Sequence, residues 1–186
     1  MYSDLMIEIR VHGRGGMGSI TLVEILARAA GFDDKFSQAF GAFGPERRGA
    51  PVRAFCRLDD KPILRRTQVY NPDYVIVLDQ TLMELPELND GVKPATVFVV
   101  NSGKRGSHRG NVTHTFDATS LALDTMGKDI VNTAMLGVFA KVTGLVTIES
   151  LLKVIDERFP GKLGELNRKL VTEAYDKMVI SDEGKG

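Results

Sequence analysis

The sequence predicts an α/β fold: a single three-layer domain on a mainly parallel sheet, with a β-hairpin edge and a helical C-terminal third. Three observations carry this. A half-buried strand pattern at 7–12 runs through a glycine-rich turn into a helical pattern at 19–30. Two continuous apolar runs, at 74–78 and 96–100, read as central parallel strands covered on both faces. The last third then changes to successive helical segments.

In the first element Ile7, Ile9 and Val11 alternate with polar residues, and His12 ends the strand. Gly13-Arg14-Gly15-Gly16-Met17-Gly18 follows, and 19–30 contains neither Gly nor Pro. Missing side chains let backbone N–H groups approach an anion, and the partial positive charge at a helix start attracts phosphate, so the turn is a candidate phosphate cradle. Gly13, Gly15 and Gly18 also meet the dinucleotide G-x-G-x-x-G spacing. That reading requires an acid about 20 residues on, at the end of the second strand. Asp33 and Asp34 stand at its start instead, and no Lys-Ser or Lys-Thr pair follows the glycines as a Walker-type loop demands. Three readings stay open for the turn: an anion or cofactor site, a tight turn at an inter-chain contact, and a nicotinamide or flavin site.

The second strand is read at 35–40. The loop at 41–51 holds three glycines and two prolines, yet carries Phe43, Arg47 and Arg48. Residues 51–58 alternate as a strand with one wet face, Asp59-Asp60-Lys61-Pro62 closes it as a turn, and Ile63 and Leu64 begin its hairpin partner. Residues 45–66 carry seven basic against three acidic side chains, so positive charge is concentrated there. Between the central strands, 81–88 is a brief crossover holding Pro86. The basic loop 103–110 reads as solvated, and 112–116 as a short strand capped by Asp117 and Thr119 into a helical turn. A helix at 129–143 stops at Gly144, with Asn132 either bonding to a loop from inside it or, the plainer account, capping its start; Thr147 caps a second helix ending near Phe159-Pro160, and 163–179 forms a third. Residues 1–180 make one domain, and 181–186 read as a disordered tail.

Composition narrows the function. With 186 residues the chain can bury its own core, and 24 basic against 24 acidic side chains give no global field toward nucleic acid or an anionic membrane. The single Cys56 makes no internal disulfide and by itself holds neither an iron–sulfur cluster nor zinc; it reads as a buried strand cysteine. His12, His108 and His114 are scattered, so no metal site is predicted. Met1-Tyr2-Ser3-Asp4-Leu5 has no signal-like core, and no run approaches the roughly 20 apolar residues of a membrane span, so the expected location is cytoplasmic, with no membrane partner.

Taken together, five blocks resemble the gamma subunit, or domain, of 2-oxoacid:ferredoxin oxidoreductases, the pyruvate enzyme in particular. They are Gly13-x-Gly15-Gly16-x-Gly18, Phe43-Gly44-Pro45-Glu46-Arg47-Arg48-Gly49-Ala50-Pro51, Asn71-Pro72-Asp73-Tyr74, Asn132-Thr133-Ala134-Met135-Leu136-Gly137, and Lys162 with Asn167 and Ala174. Met17 departs from the pattern, since the family usually has Gln there. The resemblance spans nearly the whole chain. It implies a subunit of a complex that oxidatively decarboxylates a 2-oxoacid, pyruvate first among them, to acyl-CoA with reduction of ferredoxin.

The same resemblance implies alpha, beta and delta-type partner subunits, ferredoxin being reached through the complex. Thiamine diphosphate, magnesium and [4Fe–4S] clusters belong to partner chains, since this chain has no cysteine set and no thiamine motif. The gamma subunit lies against the thiamine-binding chains and shares in the coenzyme A site. This chain then contributes no catalytic side chain and binds no cofactor alone; coenzyme A is a substrate of the complex, and whether this chain touches it stays open. Gly13, Gly15, Gly16, Met17 and Gly18 are the backbone donors, and Arg14, Arg47 and Arg48 the ligands for phosphate or a partner carboxylate. Phe40, Phe43, Glu46, Arg47 and Arg48 are the interface residues. Two alternatives are a stand-alone nucleotide-binding oxidoreductase and a structural subunit without ligand.

Overall fold

The computed structural model describes residues 6–42 and 48–180. Phe43, Glu46, Arg47 and the expected tail lie outside them. Strand β1 (Ile7–Arg14) leads through the glycine turn into helix α1 (Ser19–Phe32), followed by β2 (Phe36–Gly41) and β3 (Pro51–Asp59). Next come β4 (Tyr74–Val77), two 3-10 turns at Gln80–Glu84 and Pro86–Asn89, β5 (Val97–Asn101) and β6 (Thr113–Phe116). Helices α2 (Ala118–Met126), α3 (Asn132–Thr143), α4 (Ile148–Arg158) and α5 (Lys162–Lys177) complete the order.

The six strands form one sheet in the order β2-β3-β1-β4-β5-β6. The pairs β1–β4, β4–β5 and β5–β6 are parallel, whereas β3 runs antiparallel to both β1 and β2. The hairpin edge is therefore β2–β3. Ile63 and Leu64 do not form a partner for β3: both its edges are already taken, and Leu64 is 85% exposed in an irregular segment. Nor does His12 end β1, because Gly13 and Arg14 continue the ladder opposite Val52 and Pro51.

Ile9, Val11, Ala54, Cys56, Ile76 and Val99 point to the helical side and join the main core, which draws on all five helices. Cys56 is buried in β3, as its setting in the strand pattern suggests. Helices α1 and α3 lie against the sheet, and α4 and α5 pack on them, so the layers are sheet, inner helices and outer helices. Much of the motif content works here. A Cβ on Gly137 would strike the Val171 carbonyl oxygen, so glycine lets α3 and α5 meet backbone to backbone. Beside it Thr133 donates to Asn167 Oδ1 (2.9 Å), and Asn167 Nδ2 donates to the Leu163 carbonyl (2.8 Å). Asp73 accepts from the Glu8 N–H (2.8 Å) and fixes the entry of β4 beside β1, while the Tyr74 ring meets Phe139 edge-on.

Among the described residues no α-helix covers the opposite face. Val75, Val77, Phe98 and Val100 pack under Leu82 and Leu88 of the 3-10 turns. Over β1 and β3 this face buries arginines. The fully buried Arg57 gives Nε to Glu8 (2.8 Å), one terminal nitrogen to Gln38 (3.0 Å) and the other to the Gln68 carbonyl (3.0 Å), which satisfies the charge and its donors together. Among the described residues no helix is long and apolar enough to cross a membrane.

Candidate functional site

From β1 the chain turns through α1 to β2 and β3 on one side, while β4 lies on the other, so the sheet has a switch point at the carboxyl ends of β1 and β4. Open α/β sheets hold ligands at that place. The glycine turn sits there. Gly16 and Gly18 have φ of 94° and 77°, the left-handed region that disfavours other residues, and a Cβ on Gly16 would meet nothing. Gly13 has a different reason, since a Cβ there would strike Ser19 Oγ.

Part of the turn is engaged within the chain. Gly15 N–H donates to the Ala50 carbonyl (2.8 Å) and Met17 N–H to that of Arg14 (2.9 Å). The donors left over among the described residues are the N–H groups of Gly16 and Gly18 and the first turn of α1. That helix starts at Gly18 with no side-chain cap and no acidic residue in its first turn. Helix α3 starts at Val131, likewise bare, whereas α2 and α4 are capped by Asp117 and Thr147, and α5, uncapped at Gly161, carries Glu165 in its first turn. Asn132 does not act as the start cap. It lies inside the helix, where Nδ2 donates to the Gly18 carbonyl (3.4 Å) and ties the two bare starts together. Ser19 Oγ and Asn132 Oδ1 are buried there without partners. Uncapped N–H groups and helix dipoles converging in this way suit an anion.

Arg14 is committed inside the chain. Its Nε donates to Asp79 Oδ2 (2.5 Å), and its terminal nitrogens donate to the Gly49 carbonyl (3.1 Å) and Thr81 Oγ1 (2.7 Å), joining the ends of β1 and β4 to the start of β3. Burial alone would raise the Asp79 carboxyl, but hydrogen bonds from Thr81 and Arg14 and the Arg14 charge outweigh it, so Asp79 stays below the usual carboxylate value. Arg48 is exposed beside the turn, where it bridges to Gly15. The half-buried Phe40 spends its ring inside the chain, 5.2 Å from Phe55 and 5.5 Å from the Arg57 guanidinium.

Next to the turn lies a cleft of about 400 Å³, lined by Met17, Asp79, Asn101, Asp117, Thr119 and Asp129. Asn101 is fully occupied: Nδ2 donates to the Leu78 carbonyl (2.9 Å), and Oδ1 accepts from Ala118 N–H (3.0 Å) at the start of α2. A second cleft of about 390 Å³ shares Gln80, Thr81 and Ser102 with the first and includes Lys104 and Arg105 of the basic loop. In the sequence Asp79 and Asn101 are simply the polar residues that follow the apolar runs 74–78 and 96–100. A polar residue closing a buried apolar run is itself the signal, because in parallel sheets it falls at the ligand edge.

The described residues hold no poised acid, base or nucleophile at this edge. Asp79 stays ionised, and burial pushes the Cys56 thiol up, far from the glycine turn along β3. No group of three or more His, Cys, Asp or Glu side chains among the described residues is placed to hold a metal ion. The donors present suit phosphate and do not suit an iron–sulfur cluster or a magnesium–diphosphate anchor.

Residues 8–177 match the family model for pyruvate ferredoxin/flavodoxin oxidoreductase. The chain is 57% identical over 175 residues to pyruvate synthase subunit PorC of Methanothermobacter thermautotrophicus, covering 93% of this chain and 96% of that one. It is 48% identical over 182 residues to the pyruvate/ketoisovalerate oxidoreductases common subunit gamma of Pyrococcus abyssi, covering 94% and 98%. Among solved structures it is similar to the pyruvate oxidoreductase subunit PORC of Thermotoga maritima, with a TM-score of 0.80, 34% identity, and coverage of 92% and 96%.

Proposed function

The chain belongs to the pyruvate ferredoxin/flavodoxin oxidoreductase family, as the gamma subunit of a 2-oxoacid:ferredoxin oxidoreductase, and on that premise we propose that its glycine turn receives the phosphate end of coenzyme A. Other subunits are implied by that membership. In this reading they are alpha, beta and delta-type chains that carry thiamine diphosphate, magnesium and [4Fe–4S] clusters, and pyruvate is the 2-oxoacid. The complex works in the cytoplasm.

One observation supports the coenzyme A role above the others: two uncapped helix starts, tied by Asn132, converge on Gly16–Gly18 at the sheet's switch point. Coenzyme A offers a pyrophosphate and a ribose phosphate, and backbone N–H groups at helix starts bind such groups without a catalytic side chain. This chain's part is then to hold and orient the thiol substrate while the redox chemistry proceeds on the partners. Arg14, already bound to Asp79, stiffens the turn. Arg48, with Arg47, Phe43 and Glu46, is assigned to the interface with the neighbouring subunits, beside Phe40.

Gly16→Val in the reconstituted complex tests this. The left-handed φ disfavours valine and its side chain occupies the open space above the turn, so KM for coenzyme A should rise about tenfold or more while KM for the 2-oxoacid holds. An assembled variant with unchanged coenzyme A kinetics overturns the cradle, and turnover by the pure chain alone overturns the subunit role. For the interface, Arg48→Lys should lower the salt concentration at which the subunits separate; unchanged salt resistance removes Arg48 from the contact.

A further inference from the structure

On the helix-free face of the sheet, β1 and β3 hold basic side chains without the carboxylates their neighbours have. His12 and Arg53 stand directly opposite each other, and Arg10 shares their face two residues earlier on β1. Arg10 is 1% exposed and His12 6%. The terminal nitrogens of Arg10 donate to the carbonyls of Asp90 (2.7 Å) and Leu88 (2.9 Å), both neutral acceptors, and among the described residues its buried Nε has no partner. The buried His12 Nε2 likewise has none among them. The half-buried side chain of Arg53 forms no hydrogen bond or ion pair among the described residues.

The contrast on the same strands is informative. Arg57 meets the Glu8 carboxylate and Arg14 meets that of Asp79. Among the described residues, the carboxylate that acts on Arg10 is that of Asp90, and it forms no ion pair with them. Burial first, then the charges of Arg10 and Arg53, hold the His12 imidazole down to about 3, so it is a neutral ring between two cations. Like charges on opposed strands repel, and each unpaired buried N–H carries a desolvation cost. One negative group would settle all three at once.

We infer that His12 and Arg53, backed by Arg10, form a site for an anionic oxygen, of carboxylate or phosphate chemistry, that enters beside the half-exposed Arg53. Two sources share that chemistry: a side-chain carboxylate of a neighbouring subunit and a free small anion. The first source rests on the reading of the chain as a subunit of a complex; the second does not. Standing opposite each other on one face, the fork of Arg53 and a ring nitrogen of His12 supply the donors, and a bound negative charge offsets the repulsion between the Arg10 and Arg53 cations.

The test follows the three imidazoles by NMR in the isolated, isotope-labelled protein while inorganic phosphate is added at constant ionic strength. His108 and His114 serve as internal references and as a check that variants are folded. A saturable shift confined to His12, weakened about tenfold in Arg53→Gln and partly restored in Arg53→Lys, establishes a free-anion site. A second arm measures exchange of the His12 ring C2 hydrogen by mass spectrometry in the isolated chain and in the reconstituted complex. A change on assembly that Arg53→Gln removes, with no response to phosphate, establishes a partner carboxylate. No response of His12 in either arm overturns the site. Failure of the complex to assemble counts against the subunit reading instead, and the phosphate arm then decides the site alone.

Discussion

Replacing Gly18 by alanine is the sharpest probe of the junction between the glycine turn and α3. At φ 77° an L-residue with a Cβ costs about 1–2 kcal/mol in the left-handed region. The new Cβ also lands on Asn132 Nδ2, which must swing away and release the Gly18 carbonyl, adding about 0.5–1 kcal/mol for the lost hydrogen bond. Gly18→Ala should therefore destabilise the chain by about 1.5–3 kcal/mol. Asn132→Ala gives up the same hydrogen bond but removes the obstacle and the unpartnered buried Oδ1, so the double variant should be less damaged than the sum of the singles. The coupling expected from the shared contact is about 0.5–1 kcal/mol, read from urea midpoints of the four proteins in a double-mutant cycle. Strict additivity refutes the tie between turn and α3, and with it the shared geometry of the two bare helix starts.

Two further outcomes follow from the packing. Because His12 titrates near 3 in the fold against an ordinary 6.5, the unfolded chain takes up a proton that the fold refuses, and stability is lost as pH falls from 6.5 toward 3. Between pH 7.5 and 5.5 the loss due to His12 is about 1.4 kcal/mol, so urea midpoints measured in phosphate-free buffer should fall more steeply for the wild type than for His12→Gln; parallel profiles contradict the buried neutral ring. Gly137→Ala drives a methyl group into the Val171 carbonyl and should force α5 off α3, costing roughly 1–3 kcal/mol by thermal unfolding; an unchanged melting temperature contradicts the close approach.

Local signals in the sequence carried far, and they stopped where contacts became distant. The runs 74–78 and 96–100 marked two central strands, and Gly144 and Thr147 marked helix ends, because each depends on neighbours a few residues away. The hairpin edge is legible but Ile63 and Leu64 are not its second strand, because only register decides which segment finds a free strand edge, and β2 takes it. At the site, the glycine turn was plain in the sequence. Its tie to Asn132 bridges 114 residues and the hold of Asp79 on Arg14 bridges 65, so no periodicity reports either. Nor does any sequence window separate Arg57, which has its carboxylate, from Arg53, which has none among the described residues; only the cross-strand pairings do.

The placement of β3 between β1 and β2 has a consequence for how the polypeptide is made. By the end of β3, at residue 59, the chain has already produced three paired strands and the helix that covers one of their faces. Yet the free edge of β1 must wait for β4, and α1 must wait for α4, with which it forms the Arg28–Glu157 and Arg158–Glu24 ion pairs. A nascent chain that emerges N-terminal end first thus carries an unpaired strand edge and an uncovered helix while more than a hundred residues remain to be added. Until β4 and α4 emerge, that open edge and bare helix face are the surfaces through which the growing chain can pair wrongly with another.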